Sequence, residues 1–270
     1  MLESKFTEVE GIRVHYWQGG HGFPVLMLHG VGPGTSVQGN YGPVLEPLAA
    51  RCHIIAPDLI GFGSSHRKPT QPYFDVELWL RQAQAMLALL PPGPYGVAGH
   101  SLGGALALKL AGRTPRISKV LTSSSVGVSY PVPHALDAFW TPPADRQVLR
   151  TVMERMVHDA AALTEPMIED RWKLLTTGDY AEYFATMFAR PRQRYIDAGA
   201  IADAEYRNLR AKVVMLHGRN DQPCPAELTT LAIAKRIPQA DIHLFANCGH
   251  NLPREMAAEY VSVALKLFAP

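Results

Sequence analysis

The chain has 270 residues, of which 47% are hydrophobic and 19% are charged, and its formal net charge is +2. This length is sufficient for one large α/β domain with an insertion, and the composition is that of a chain with a sizeable core and not of a disordered one. The near-neutral charge gives no case for nucleic acid or an anionic membrane as a partner, so we expect a small-molecule ligand.

The first elements in chain order alternate between strand and helix patterns. Residues 6–9 and 12–17 alternate around Gly11 and predict an antiparallel hairpin. Further strands are predicted at 24–28, 53–57, 95–98 and 117–123, with helices at 40–51 and 73–90. Strands that alternate with helices indicate a mostly parallel sheet covered on both faces.

Residues 99–103 read Gly-His-Ser-Leu-Gly between a predicted strand and a predicted helix. A Gly-x-Ser-x-Gly sequence in this context predicts a nucleophile elbow with Ser101 at its apex. The alternative is a turn serine without chemistry. A serine hydroxyl is a weak nucleophile near neutral pH, so it needs a general base that is oriented by a carboxylate. In the fold that carries such elbows, the acid and then the histidine follow the serine in the chain.

The pattern of alternating strands stops between residues 128 and 204. This stretch is marked by prolines, and helical patterns cover residues 146–163 and 166–175 without a buried strand. We therefore predict a helical lid at 128–204, inserted into a core formed by 1–127 and 205–270. Such an insertion would shape a pocket and exclude water from it.

Two later loops supply the partners that Ser101 requires. A predicted strand at 211–218 is followed by Asp221, and a strand at 240–245 is followed by His250, with a predicted helix at 225–237 between them. Parallel sheets place their sites beyond the strands' carboxyl ends. We therefore predict Asp221 as the acid and His250 as the base, the alternatives being a loop carboxylate and a surface histidine. Asp58 also follows a strand, but it precedes Ser101 and is interpreted as capping a turn.

Acyl transfer also needs two hydrogen-bond donors for the developing oxyanion. One predicted donor is the backbone N–H of Leu102, directly after the nucleophile. The other is the N–H of Val31, in the glycine-rich loop at 29–34, where glycines let the backbone approach a ligand closely. The alternative for this loop is an ordinary glycine turn, and we expect His29 to pack at the strand end.

At these residues the sequence resembles the α/β-hydrolase superfamily over nearly its whole length. It is most similar to the meta-cleavage product hydrolases, which hydrolyse a carbon–carbon bond in vinylogous 1,5-diketones made by ring-opening of catechols. The resemblance is carried by the His-Gly-x-Gly-Pro-Gly loop at 29–34, by Asn40-Tyr41, by residues 164–172 and by Cys-Gly-His at 248–250. It implies an α/β-hydrolase fold, a Ser-Asp-His triad, no cofactor, and a substrate of the 2-hydroxy-6-oxo-hexa-2,4-dienoate type.

The resemblance also implies substrate-binding residues. Gly32 lies in the loop, Asn40 falls where the family has an asparagine that holds the substrate's polar end, and Arg171 falls on the lid helix that carries the family's substrate-binding arginine. From the residues alone, Asn40 could equally be a helix N-cap and Arg171 a solvated charge. A guanidinium suits a substrate carboxylate because it donates paired hydrogen bonds.

Two positions depart from the family pattern. His100 stands where the family usually has asparagine, and Asn251 stands where it usually has tryptophan. Both positions line the family's pocket, so both are predicted to contact substrate. The departures leave open a carboxylesterase or lactonase on the same fold, and a non-catalytic protein that binds small ligands.

The cellular location is predicted from targeting and membrane-spanning signals that the sequence does not contain. The first residues have no basic and apolar blocks of a signal peptide, and no apolar run approaches membrane-spanning length. The three cysteines have neither paired nor metal-like spacing, so we expect no metal and a cytoplasmic location. A homo-oligomer is expected only by analogy with the family.

Overall fold

The computed structural model describes residues 1–269 and contains one eight-stranded sheet in the order β1-β2-β4-β3-β5-β6-β7-β8. β1 pairs with β2 and β2 with β4 antiparallel, and every later pairing is parallel. The strands are β1 (Leu2–Val9), β2 (Ile12–Gly19), β3 (Phe23–Leu28), β4 (Cys52–Pro57), β5 (Tyr95–His100), β6 (Ile117–Ser123), β7 (Lys212–Gly218) and β8 (Asp241–Phe245). The predicted α/β-hydrolase sheet is confirmed.

Helices cover both faces of the sheet. Those before β7 are α1 (Val37–Ala49), α2 (Val76–Leu87), α3 (Leu102–Arg113), α4 (His134–Phe139), α5 (Arg146–Glu154), α6 (Glu165–Leu175), α7 (Tyr180–Met187), α8 (Gln193–Gly199) and α9 (Asp203–Asn208). The later ones are α10 (Thr230–Ala234), α11 (Leu252–Glu255) and α12 (Ala257–Phe268). Two hydrophobic clusters fill the space on either side of the sheet, and the central strand β5 is buried along its whole length.

Several helix ends differ from the prediction because side chains cap them. α1 begins at Val37, where Ser36 Oγ accepts the N–H of Gly39, so the N-cap is Ser36 and not Asn40. α2 begins after Asp75, whose carboxylate accepts the N–H of Leu78. These capping hydrogen bonds satisfy N–H groups that have no partner within the helix.

Two other predicted helices are much shorter than expected. The helix predicted at 225–237 is helical only over Thr230–Ala234, and the helix predicted at 146–163 ends at Glu154. After Glu154 the chain leaves the helical path, and the carbonyl of Met156 accepts the N–H groups of His250 and Asn251. A tertiary contact therefore ends the helix where the local pattern would continue it.

The segment between β6 and β7 contains helices α4 to α9 and one turn of 3-10 helix (Ala160–Ala162), with no strand among its residues. It directly contacts the loop that carries Gly249 and His250. A Cβ atom on Gly249 would lie 2.7 Å from the carbonyl carbon of Val157, so only glycine fits at this approach. The division into a core and a lid at 127/128 and 204/205 stays a prediction.

Candidate active site

Ser101 lies between the end of β5 and the start of α3, with φ 56° and ψ −121°. This backbone conformation is rare for a non-glycine residue and points to a functional constraint. The sharp turn requires its flanking glycines, because a Cβ on Gly103 would lie 2.1 Å from the carbonyl oxygen of Leu28. The N–H of Ser101 donates to the carbonyl of Ser123 on β6 at 2.9 Å, which fixes the turn to the sheet.

Asp221 and His250 meet at the carboxyl ends of β7 and β8. His250 Nδ1 donates to Asp221 Oδ2 at 2.8 Å, and both side chains are buried. Burial alone would lower the pKa of His250, but the Asp221 carboxylate raises it well above its usual range. Burial would raise the pKa of Asp221, yet His250 and His217 hold it well below its usual range. The pair is thus an ionised acid beside an imidazole that accepts a proton readily.

The sequence-predicted Ser101 lines the same cavity as His250. Among residues 1–269, Ser101 Oγ forms no hydrogen bond to the imidazole within 3.5 Å. Catalytic hydrogen bonds are often long in ligand-free sites and shorten when substrate binds. The structure therefore brings the three predicted triad residues together, and their catalytic roles stay a prediction.

His217 is a second histidine beside Asp221, and the sequence reasoning missed it. Its Nε2 lies 3.1 Å from Asp221 Oδ2 and 2.8 Å from the carbonyl oxygen of Cys224, and its Nδ1 lies 2.7 Å from Thr230 Oγ1. Both neighbours of Nε2 accept hydrogen bonds, so Nε2 carries the proton. The sequence did contain a signal that could have identified it, because this histidine stands four positions before Asp221, at the end of a predicted buried strand.

The two predicted oxyanion donors are both free. Among the described residues, the N–H groups of Val31 and Leu102 donate to no other protein group. The neighbouring Gly30 N–H donates to Asn40 Oδ1 at 2.9 Å, so the side chain of Asn40 holds the loop from α1. Free backbone N–H groups beside a nucleophile can stabilise an oxyanion.

A small, mostly apolar cavity with about 20 Å³ of open space adjoins Ser101. Its wall combines core residues with residues from helices α4 and α8, and Val31, Ser101, Leu102 and His250 lie at its polar end. The remaining lining residues are Phe74, Val126, Leu136, Phe139, Trp140, Tyr195, Ile196 and Cys224. Such a wall binds apolar groups and leaves little space for water.

Three further predicted substrate-binding residues lie near this cavity without lining it. His100 Nδ1 lies 3.1 Å from Ser123 Oγ, and the His100 ring centroid is 5.0 Å from that of His250. Burial, and then the neighbouring His250, hold the pKa of His100 well below its usual range, so it is neutral. Gly32 packs against the ring of Phe139, and Asn251 is buried at the start of α11.

The predicted substrate-binding arginine lies behind the glycine-rich loop. Arg171, on α6, is only 5% exposed, and its Nη1 donates to the carbonyl of Pro33 at 2.8 Å and to Thr35 Oγ1 at 3.2 Å. It does not line the cavity at Ser101 but lines a second cavity together with Arg254. The substrate-binding roles of Arg171, Asn40, Gly32, His100 and Asn251 stay predictions.

One group of side chains in the described chain has metal-ligating atoms close together. Asp221, Cys224 and His250 each place one within 4.8 Å of the others. The carboxylate and the imidazole already satisfy each other through a hydrogen bond.

Comparison with known proteins agrees with this geometry. The family model "Alpha/beta hydrolase family" matches residues 25–263, so the chain belongs to the α/β-hydrolase family and is a hydrolase. Within the family it is similar to the 2-hydroxymuconate semialdehyde hydrolase of Pseudomonas sp. (strain CF600). The identity is 35% over 254 residues, covering 94% of this chain and 89% of that one. It is also 35% identical to a 2-hydroxy-6-oxo-2,4-heptadienoate hydrolase of Pseudomonas putida, over 89% of this chain and 87% of the relative.

Comparison with solved structures also finds a meta-cleavage product hydrolase. A meta-cleavage product hydrolase from Pseudomonas fluorescens IP01, in complex with acetates, superposes with a TM-score of 0.91. It is 27% identical, and the match covers 97% of this chain and 96% of that one. The resemblance to the meta-cleavage product hydrolases is thereby confirmed. Among residues 1–269, no helix is both long and apolar enough to span a membrane.

Proposed function

We propose that the enzyme hydrolyses the carbon–carbon bond beside the 6-oxo group of a 2-hydroxy-6-oxo-2,4-dienoate. Two relatives at 35% identity are named for substrates of this type. The observation that carries the proposal is the junction of the Ser101 elbow, the Asp221–His250 pair and two free N–H donors at one apolar cavity. This arrangement suits attack on a carbonyl carbon followed by loss of a carbon leaving group.

In this proposal His250 removes a proton from Ser101 or from a water molecule. Asp221 holds the tautomer of His250 and stabilises the imidazolium that forms. The N–H groups of Leu102 and Val31 hold the oxyanion on the attacked carbonyl. The dienol first becomes a ketone, so the electron pair of the broken carbon–carbon bond is delocalised into the departing dienolate, which then takes a proton. Water supplies the hydroxyl of the carboxylic acid formed from the other fragment.

The size of the cavity favours a short substituent on the 6-oxo carbon. The space left between its lining side chains, about 20 Å³, holds roughly one water molecule, far below the volume of an ordinary small-molecule site. Four aromatic side chains, those of Phe74, Phe139, Trp140 and Tyr195, close its apolar part. We therefore propose hydrogen or methyl at this carbon in preference to phenyl.

The test is to follow loss of the visible absorbance of three dienoates that carry hydrogen, methyl or phenyl on the 6-oxo carbon. We expect kcat/KM to fall in that order toward phenyl, and turnover to disappear in Ser101→Ala. An assay with p-nitrophenyl acetate runs beside it. Ester cleavage that depends on Ser101, with all three dienoates left intact, would overturn the proposal and leave a general esterase.

A further inference from the structure

A second serine, histidine and aspartate are joined by hydrogen bonds at the antiparallel end of the sheet. Ser4 Oγ on β1 lies 2.9 Å from Nε2 of His15 on β2, and His15 Nδ1 lies 2.8 Å from Oδ2 of Asp58, which follows β4. A serine hydroxyl is activated when a base lies within hydrogen-bond distance and a third group orients that base. These three residues form such an arrangement, and none of them lines the cavity at Ser101.

The hydrogen-bond partners of His15 fix the positions of its protons. The Asp58 carboxylate only accepts hydrogen bonds, so Nδ1 of a neutral His15 carries the proton and Nε2 has a free electron pair. The Ser4 hydroxyl therefore donates to Nε2. This is the direction in which a general base must receive the proton of a nucleophile.

The base and the acid are held inside the protein, whereas the hydroxyl faces solvent. The Asp58 carboxylate also accepts the N–H of Val37 at 2.7 Å and the N–H of Ser64 at 2.9 Å. His15 is 4% exposed and Asp58 is 2% exposed, but Ser4 is an exposed residue. The base is thus fixed in place, and a reagent in solution can reach the serine.

The surface around Ser4 suits an aromatic reagent. Phe6 lies two positions further along β1 on the same face, is 44% exposed, and has its ring centroid 5.1 Å from that of His15. Trp17 pairs with Ser4 across the two strands, and its ring centroid lies 5.5 Å from that of His15. The two side chains offer an aromatic surface on which an aryl group can pack.

The edge of the sheet supplies a donor for an oxyanion. β1 is the outermost strand, and the N–H of Leu2 donates away from β2, to Glu46 Oε1 at 3.0 Å. Because the backbone groups of a strand alternate in direction, the N–H of Ser4 also faces away from β2. One donor supports acyl transfer less well than two, since removing a donor lowers the rate about 100- to 1000-fold. We therefore expect slow acylation at Ser4 and not rapid turnover.

We propose that Ser4 is a second nucleophile, which His15 and Asp58 activate toward aromatic esters. Ser4 Oγ attacks the acyl carbon while His15 Nε2 takes the hydroxyl proton. The bond between the acyl carbon and the aryl oxygen then breaks, and the aryl oxygen receives the proton from His15. The products are an O-acyl serine and a phenol. This site goes beyond the proposed function and does not rest on it, because it uses no residue of the cavity at Ser101.

The test uses the full chain with Ser101→Ala, so that Ser101 cannot react, and p-nitrophenyl acetate as the probe. Intact mass spectrometry counts the acetyl groups, and peptide mapping locates them. We expect one acetyl group on Ser4, formed at least about 100-fold faster than any on Ser129, since general-base catalysis contributes this much. Ser129 is the internal control, because it is also exposed but its hydroxyl donates to a carboxylate, that of Asp197, at 2.6 Å.

Two further variants in the Ser101→Ala background identify the nucleophile and the base. Ser4→Ala should abolish the label. His15→Asn should slow labelling about 100-fold, since it removes the base and keeps an N–H that can donate to Asp58. Thermal unfolding checks that each variant is folded.

The comparison of Ser4 with Ser129 decides the question even if His15→Asn does not fold. Equal labelling rates at these two serines would overturn the proposal. Labelling confined to lysines or the N-terminal amine would overturn it as well, and so would a folded His15→Asn variant that is labelled on Ser4 at the unchanged rate.

Discussion

His217 offers a sharp test of how the acid is held, through the substitution His217→Phe. The Asp221 carboxylate accepts hydrogen bonds from His250 Nδ1 at 2.8 Å and from the N–H of Cys224 at 2.8 Å. It lies 3.1 Å from His217 Nε2 and shares the single N–H of that atom with the carbonyl of Cys224 at 2.8 Å. Phenylalanine keeps the ring volume and removes the third donor. A hydrogen bond to a charged group contributes about 2 kcal/mol, so kcat should fall about 30-fold if the loss is felt fully in the transition state.

The pH profile separates this role from a merely structural one. In its proposed role His250 accepts a proton only when neutral, so activity should be lost as pH falls through its pKa, which Asp221 raises. With one donor fewer, the Asp221 charge acts more strongly on His250, and the acid limb of kcat should move to higher pH. His217→Gln retains an N–H donor and should recover much of the loss.

The assay is kcat against pH for p-nitrophenyl acetate and for the methyl dienoate, with thermal unfolding measured on each variant. Both substrates are used because the acid and base serve either reaction. The reasoning is refuted if His217→Phe keeps kcat within about twofold and the acid limb of the kcat profile unshifted, since the His217 N–H then does not act on the Asp221–His250 pair. A lower unfolding midpoint alone would leave His217 as a packing residue.

Three other outcomes are expected. Ser101→Gly should be more stable than Ser101→Ala by about 1 kcal/mol in urea unfolding, because glycine relieves the strain at φ 56°, and greater stability of the alanine variant would contradict this. Asp58→Asn should lower the free energy of unfolding by about 3 kcal/mol, since the buried carboxylate accepts two backbone N–H groups and bonds to a histidine. The control, exposed Asp203→Asn, should change that free energy little. Leu136→Ala should raise kcat/KM for the phenyl dienoate about tenfold relative to the methyl one, and an unchanged ratio would mean that the cavity does not hold that group.

The sequence predicted the sheet and the elbow well because both depend on local patterns. Buried strands are continuous apolar runs, and the turn at Ser101 needs glycines at fixed offsets. The meeting of Asp221 and His250 could be predicted because each lies in the loop that follows a strand. Helix ends were less predictable, since they depend on caps such as Ser36 and on the distant contact at Met156.

The surroundings of the site could not be predicted to the same depth. Arg171 bonds to Pro33, which lies 138 positions earlier in the chain. Helical periodicity predicts which face of the helix carries such a residue. It does not predict on which side of the glycine-rich loop the guanidinium group lies. The role of Asn40 in holding Gly30 and the approach of His217 to Asp221 likewise arise only when distant segments pack.

The carbonyl of Met156 has a consequence for how variants of the inserted segment will behave. It accepts the backbone N–H groups of both His250 and Asn251, at 2.8 and 3.1 Å. The segment between β6 and β7 thus anchors the loop that carries His250, and its helices α4 and α8 also form part of the cavity wall. A change that displaces the end of α5 would reposition the imidazole itself, so its kinetic signature would resemble an acid–base defect in a site whose own residues are all intact.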